Sequence, residues 1–351
     1  MAFSTIDKST LYQNTVLYTG TGATASITGV GFQPDLSWIK VRDNTDNHVL
    51  FDAVRGATKR LEPNVNDAEV TAATELTAFD SDGFSTGSAD RVNRNTDTYA
   101  SWNWKAGTTS GIAAGSQTIT PTAYSINTTS GIGIYAYEGA GGVDEQTISH
   151  GLGQEPSLLL VKRVNSDKDW TIYHSSLGAT KYLELNNTIV SATDSTMWDD
   201  TEPTSSLITI GTNSQVNANP GDTYIMYAFA EISGYSKFGS YIGNANADGP
   251  FIFTGFKPSF VIIKGAISGD GDAAQSWELY DNKREGYNVD NDNLKPNTNA
   301  VESTGDRVNL LSNGFKIIVN SDGVNDNAST YIYMAFGQPI VSNSGTPATA
   351  R

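Results

Sequence analysis

One pattern is written three times in this chain, and it limits the fold more than any other feature. A Gly-x-x-Pro, a short apolar run and a lysine occupy residues 31–40, 153–162 and 255–264, with Lys40, Lys162 and Lys264 each six residues after Pro34, Pro156 and Pro258. A second block follows, His48-Val49-Leu50-Phe51-Asp52, matched by Trp170-Thr171-Ile172-Tyr173-His174 and Trp277-Glu278-Leu279-Tyr280-Asp281. The turn Gly56-Ala57-Thr58-Lys59 recurs unchanged as Gly178-Ala179-Thr180-Lys181, at the same offset from its proline, while the third copy has diverged to Arg284-Glu285-Gly286-Tyr287. Each copy opens on Tyr-x-Gly, at Tyr18, Tyr137 and Tyr241, and closes on an aromatic strand beginning at Tyr99, Tyr224 or Tyr331.

Length alone leaves two or three domains for 351 residues, at about 150 residues each. The repeat selects three. A unit of about 100 residues is too long for a solenoid coil and suits a small domain. The expected organisation is an N-terminal arm (1–15), a β-domain (16–107), a Gly/Ser/Thr-rich linker or added hairpin (108–130), and two further β-domains (131–233 and 234–340). A polar tail (341–351) ends the chain.

The local signals are those of strands. The continuous apolar run Leu158–Val161 predicts a strand buried on both faces. A proline is tolerated at a strand start, where its missing N–H lies outside the ladder. Asp82-Gly83 and Asn313-Gly314 predict type I′ hairpin turns, which need φ > 0 at both central residues. Helix formers cluster only over residues 67–76, enough for two turns. Gly, at 34 residues, together with abundant Asn, Ser and Thr, is turn and loop chemistry. The expected fold is all-β, three tandem homologous β-sandwich or jelly-roll-like domains.

Several function classes are excluded or disfavoured. There is no cysteine, hence no disulfide scaffold, thiolate zinc site or cysteine nucleophile. A net charge of −16 argues against a nucleic-acid partner. No apolar run is long enough for a transmembrane helix, so no membrane insertion is expected. The N-terminal residues lack a basic, then apolar, signal sequence, and synthesis in a cytoplasm is expected.

Catalytic residues are expected to be none, and no cofactor is implied. His48, His150 and His174 have no nucleophile elbow for company, and no acidic pair recurs at strand ends as a glycosidase needs. Trp102 and Trp104 read as core. Trp198 has no counterpart in the other copies and stands among polar residues; with Asp199 and Asp200 it is the candidate glycan contact. Asp270, Asp272, Asp290 and Asp292 are weak calcium candidates, since calcium takes carboxylate and carbonyl oxygens.

Further motifs place the chain beside a known family. Leu17-Tyr18-Thr19-Gly20, Val54-Arg55-Gly56-Ala57-Thr58-Lys59, Asp80-Ser81-Asp82-Gly83-Phe84, Trp102-Asn103-Trp104-Lys105-Ala106-Gly107, Gly234-Tyr235-Ser236-Lys237-Phe238-Gly239 and Leu311-Ser312-Asn313-Gly314-Phe315-Lys316 are among them. Together, over nearly the whole chain, they resemble an uncharacterised family of tailed-bacteriophage virion proteins frequent in aquatic and marine phages. The resemblance implies a non-enzymatic particle protein exposed on the virion exterior, with other virion proteins as partners. It carries over no catalytic residue. Three sandwiches in a row suit an elongated projection, so the leading expectation is a tail fibre, spike or tail-tip protein that contacts a host surface glycan, in a homo-oligomer guessed to be a trimer. A capsid decoration or head-fibre protein is the alternative, in which the N-terminal arm clamps the shell. A glycan depolymerase ranks last.

Overall fold

The computed structural model describes residues 4–112, 117–143, 145–269, 271, 274–284 and 292–341. Strands dominate, and every sheet is antiparallel. The first copy builds a four-stranded sheet in the order Gln13–Thr19, Thr98–Trp104, Leu36–Val41, Val49–Asp52. The third repeats that order with Ser236–Ile242, Thr330–Pro339, Phe256–Ile267 and Trp277–Asp281. The second does so with Ile132–Glu138, Thr223–Ala230, Pro156–Arg163 and Thr171–His174. Its sheet gains the edge strand Ala123–Asn127, paired with Ile132–Glu138, and Lys181–Glu184 with Ala192–Thr193 on the other side. A smaller sheet of two or three strands lies over each.

The doubly apolar strands explain how the layers fit. Residues along a strand alternate between faces. Ile39 and Val41, Leu159 and Val161, and Val261 and Ile263 face their own copy's smaller sheet and build three separate cores. Leu36 and Trp38, Leu158 and Leu160, and Phe260 and Ile262 face the other way, into one core shared by all three copies. At its centre Trp104, Phe229 and Phe336, equivalent in the repeat, form a triangle of rings with centroids 6.3, 6.0 and 5.8 Å apart. Burying such rings is the largest apolar contribution available to a chain.

The copies therefore close on one another instead of forming an extended row. Trp170 Nε1 donates to Glu62 O at 3.0 Å and Trp277 Nε1 to Glu184 O at 3.0 Å. His48 holds the third such position; its Nε2 lies beside the Lys295 backbone without a well-formed hydrogen bond. Backbone bonds complete the circuit: Glu69 N to Val164 O, Ser191 N to Ala266 O and Glu302 N to Arg42 O, at 2.7–2.9 Å. The last joins the third copy back to the first.

Each copy's Tyr-x-Gly has a local reason. Tyr18, Tyr137 and Tyr241 stack on Tyr99, Tyr224 and Tyr331 at 5.0–5.1 Å, and their hydroxyls donate to Val92 O, Val216 O and Val324 O. The glycine two residues on is required because a Cβ at Gly20, Gly139 or Gly243 would strike the carbonyl of Arg94, Ala218 or Asp326. Asn93, Asn217 and Asn325, all fully buried, pin the same loop in each copy through their side-chain amides.

Several expectations are corrected. Residues 67–76 form no helix: Val70–Thr71 pairs with Lys59–Arg60, β-branched residues being at home in a strand, and Glu69 is drawn to Arg55 and Lys59. The hairpins at Asp82-Gly83 and Asn313-Gly314 exist, but their closing pairs are Asp80 with Gly83 and Leu311 with Gly314. The turn residues between them have no positive φ, and Gly83 and Gly314 are glycine because the neighbouring carbonyls of Ile27 and Ile252 lie too close for a Cβ. Pro258 sits inside its strand at a register shift, not at the start. Residues 4–15 pack onto the body of the fold. Ile6 is buried in the shared core, and Ser9 donates from N and Oγ to Gln338 Oε1. Nearly all of the expected tail lies outside the described residues; Val341 lies within them.

Candidate functional site

The residue types that carry chemistry are concentrated where copies meet. Lys40, Lys162 and Lys264 end the row of side chains facing the shared core, and all three are fully buried. Burial lowers their ammonium groups, to about 8 for Lys40 and Lys162 and about 7 for Lys264. Backbone carbonyls accept their hydrogen bonds. Lys162 donates to Asn66 O across one seam as well as to Arg163 O and Ser166 O, and Lys264 to Thr188 O across the next and to Gln275 O. Lys40 donates within its own copy, to Val41 O and Asn44 O.

The column Asp52, His174, Asp281 has the same role. Asp52 accepts from Tyr227 Oη of the second copy at 2.7 Å and pairs with Arg55 at 2.6 Å. Asp281 accepts from Trp102 Nε1 of the first copy at 2.9 Å and pairs with Arg284 at 2.7 Å. Burial is the largest single effect and would raise the Asp281 carboxyl, but the Arg284 charge together with hydrogen bonds from Trp102, Arg284 and the Lys283 N–H holds the group low. In the second copy the arginine position is Leu177, and a carboxylate there would be unpaired. His174 serves instead: Nδ1 accepts from Ser176 N, so Nε2 carries the proton and donates to Tyr333 O at 3.1 Å. Burial pushes this imidazole down to about 4, so it is neutral near pH 7.

A cleft of about 620 Å³ lies beside Asp35, where Gly107, Thr109 and residues 121–125 lie against the first copy. Asp35 stands where the other copies carry Ser157 and Ser259. Its Oδ1 accepts from Ser125 Oγ at 3.0 Å and its Oδ2 from Ala106 N at 2.9 Å, and Ser125 Oγ accepts from Gly107 N. Burial raises its carboxyl. Gln33, Lys105 and Tyr124 line the cleft with it. This is one carboxyl, one amine and one phenol, a set that hydrogen-bonds a polar ligand but offers no second carboxyl for acid–base work. Sequence reasoning passed over Asp35; its signal was being the acid in a serine column.

The residues predicted for ligand contact are not together on the surface. Trp198 is buried against Tyr173, with Nε1 donating to Lys181 O, so the ring is not an exposed platform. It sits in a one-turn helix, Ser195–Trp198, that turns its large residues inward. Asp199 and Asp200 follow in left-handed conformations, Asp200 exposed. Of the calcium candidates, Asp270, Asp272 and Asp290 lie outside the described residues. Asp292 is buried 3.8 Å from the Arg42 guanidinium. No cluster of three metal-ligating side chains occurs among the described residues, and no described helix is long and apolar enough to cross a membrane.

Fold and cleft define an all-β protein in which one sequence pattern, used three times, closes around a common core. The chain belongs to the family described as Domain of unknown function (DUF7483), whose model matches residues 8–339 and so runs across all three copies. No curated protein and no solved structure matches it.

Proposed function

We propose that the chain is three homologous β-sandwich units closed into a ring, and that the ring is a non-enzymatic structural protein of a phage particle. In this reading it stands on the particle exterior as a tail appendage that contacts host surface glycans and neighbouring virion proteins. The observation that carries the reading is the use made of the reactive side chains. Lys162, Lys264, Asp52, Asp281 and His174 are buried at the seams, each bonded to another copy. Side chains so placed hold a rigid body together and do not face a substrate. The threefold packing within one chain also supplies what a homotrimer would otherwise supply, and such a body can seat on a threefold partner through three similar contacts.

Quantified protein bands from purified virions test it. A handful to a few dozen copies per particle, with purified protein blocking adsorption to host cells, is the expected result. Hundreds of copies would move the protein to the capsid as a decoration or head-fibre component. Its absence from particles would overturn the reading.

A further inference from the structure

The smaller sheet of each copy has an edge strand at the same place: Ala25–Thr28, Gln146–Ser149 and Phe251–Phe253. Ile27 lies opposite Phe84, Ile148 opposite Ile208 and Ile252 opposite Phe315, and each of these isoleucines points into its own copy's core. The residues on either side of it face away from that core. They are Ser26 and Thr28 in the first copy, Thr147 and Ser149 in the second, and Phe251 and Phe253 in the third. The two phenylalanines are 46% and 59% exposed. A lone exposed apolar residue is ordinary, but two rings side by side on an edge strand make a template for pairing with another chain.

The backbone is open along the same edge. Ile317 N bonds Pro250 O, and Thr254 N bonds Asn313 O. Bonded and non-bonded pairs alternate along an antiparallel ladder. Ile252 is therefore the residue that bonds across to Phe315, while the N–H and C=O of Phe251 and Phe253 point away from the sheet. No strand or bridge among the described residues lies against them. The second copy shows how this edge is covered. Thr118 N and Ile119 N bond Thr147 O, and Thr147 N bonds Thr118 Oγ1, at 2.8–3.1 Å. Thr147 holds the position of Phe251. One copy thus covers the edge with its own chain, one keeps it polar, and one lines it with phenylalanine.

We propose that the Phe251–Phe253 edge pairs with the same edge of a second copy of this chain, antiparallel, about a two-fold axis at Ile252. Phe251 of one molecule lies opposite Phe253 of the other. Each such pair exchanges both of its backbone hydrogen bonds, so one isologous contact uses every outward N–H and C=O of both strands. The four rings gather on one face, where aromatic cross-strand pairs add to the contact. Charge does not oppose it. Lys316, opposite Phe251, pairs with Asp248 at 2.6 Å, and Lys237, which lines a cleft with Phe253, pairs with Glu231 at 3.6 Å, so both lysines bring their own counter-charge. Three residues a side bury less than the about 1,200 Å² of a standard interface, so the dimer is weak and its population follows concentration.

The test is sedimentation equilibrium of the full chain from about 10 μM to about 1 mM. The average mass should climb from that of one chain toward that of two. Phe251→Thr with Phe253→Ser, the residues the second copy has at these places, should weaken association by at least about tenfold and leave the urea midpoint unchanged. Phe253→Pro removes an N–H that the fold itself does not use and keeps an apolar side chain; it should weaken association also, which contact between rings alone would not. Val70→Thr, at an exposed apolar residue of the first copy, should leave association intact. A mass that stays at one chain up to about 1 mM, a mass that rises past two, or a dimer that survives either variant of the edge overturns the proposal. Virion copy number bears on the particle role only, so the two can fail separately.

Discussion

Replacing Arg284 by leucine is expected to destabilise the protein by about 3–5 kcal/mol, the cost of removing one partner from a buried ion pair. The guanidinium is fully buried. It donates to Asp281 Oδ2, to Glu302 Oε2 at 2.7 Å and to Leu279 O at 2.9 Å, and it lies 5.8 Å from the Trp102 ring centroid. Without it, Asp281 keeps the Trp102 indole and nearby backbone N–H groups but loses its charge partner. The second copy shows a different solution at the same place, histidine with leucine. The double change Asp281→His with Arg284→Leu should therefore recover about 1–3 kcal/mol of the single variant's loss, a coupling of ordinary size for residues in contact. Urea denaturation of the wild type and the single and double variants checks this. A double variant no better than Arg284→Leu would show that the two solutions are not interchangeable.

Stability should rise between about pH 7 and pH 10. The three buried lysines have folded values of about 7 to 8 against 10.5 when exposed. A depressed lysine binds fewer protons folded than unfolded across that interval, so raising the pH favours the folded state. The gain is at most about 1.4 kcal/mol per pH unit for each lysine. Buried tyrosines such as Tyr137, Tyr227 and Tyr241 have raised values and act with the opposite sign. Their contribution is complete below the exposed value of 10.0 and is lost above it, which sets the upper limit. Denaturation at pH 7, 8 and 9 should show the climb, and Lys264→Met should make it shallower, with Lys40 and Lys162 supplying the rest. A stability that is level or falling over this range would mean that these ammonium groups are not desolvated.

Much of the fold was legible because a side-chain pattern records it. The columns beginning at Pro34, Pro156 and Pro258 mark strands apolar on both faces, and a strand of that kind must be covered on both sides. Trp102 and Trp104 read as core because the same column holds Tyr227 and Phe229, or Met334 and Phe336, in the other copies. What covers the second face was not legible. Part of each seam runs through backbone, the carbonyls of Glu62, Thr188 and Glu184 among it, and any residue supplies a carbonyl. Trp198 misled because its sequence neighbours are polar, whereas its contacts, Tyr173 and Lys181 O, come from distant strands. Gly83 and Gly314 were recognised as turn markers, but what fixes them is the approach of another strand's carbonyl. Asp35 is marked only by its departure from the serines, Ser157 and Ser259, at the equivalent positions.

The central claim is that three copies close around one core, and small-angle X-ray scattering of the monomeric chain tests it directly. A single compact body of this length has a radius of gyration of about 20 Å. Three separate domains of about 100 residues in a row would give about 30 Å. The closed arrangement predicts the smaller value with one symmetric, bell-shaped distance distribution. The larger value, with a long asymmetric tail, would contradict it.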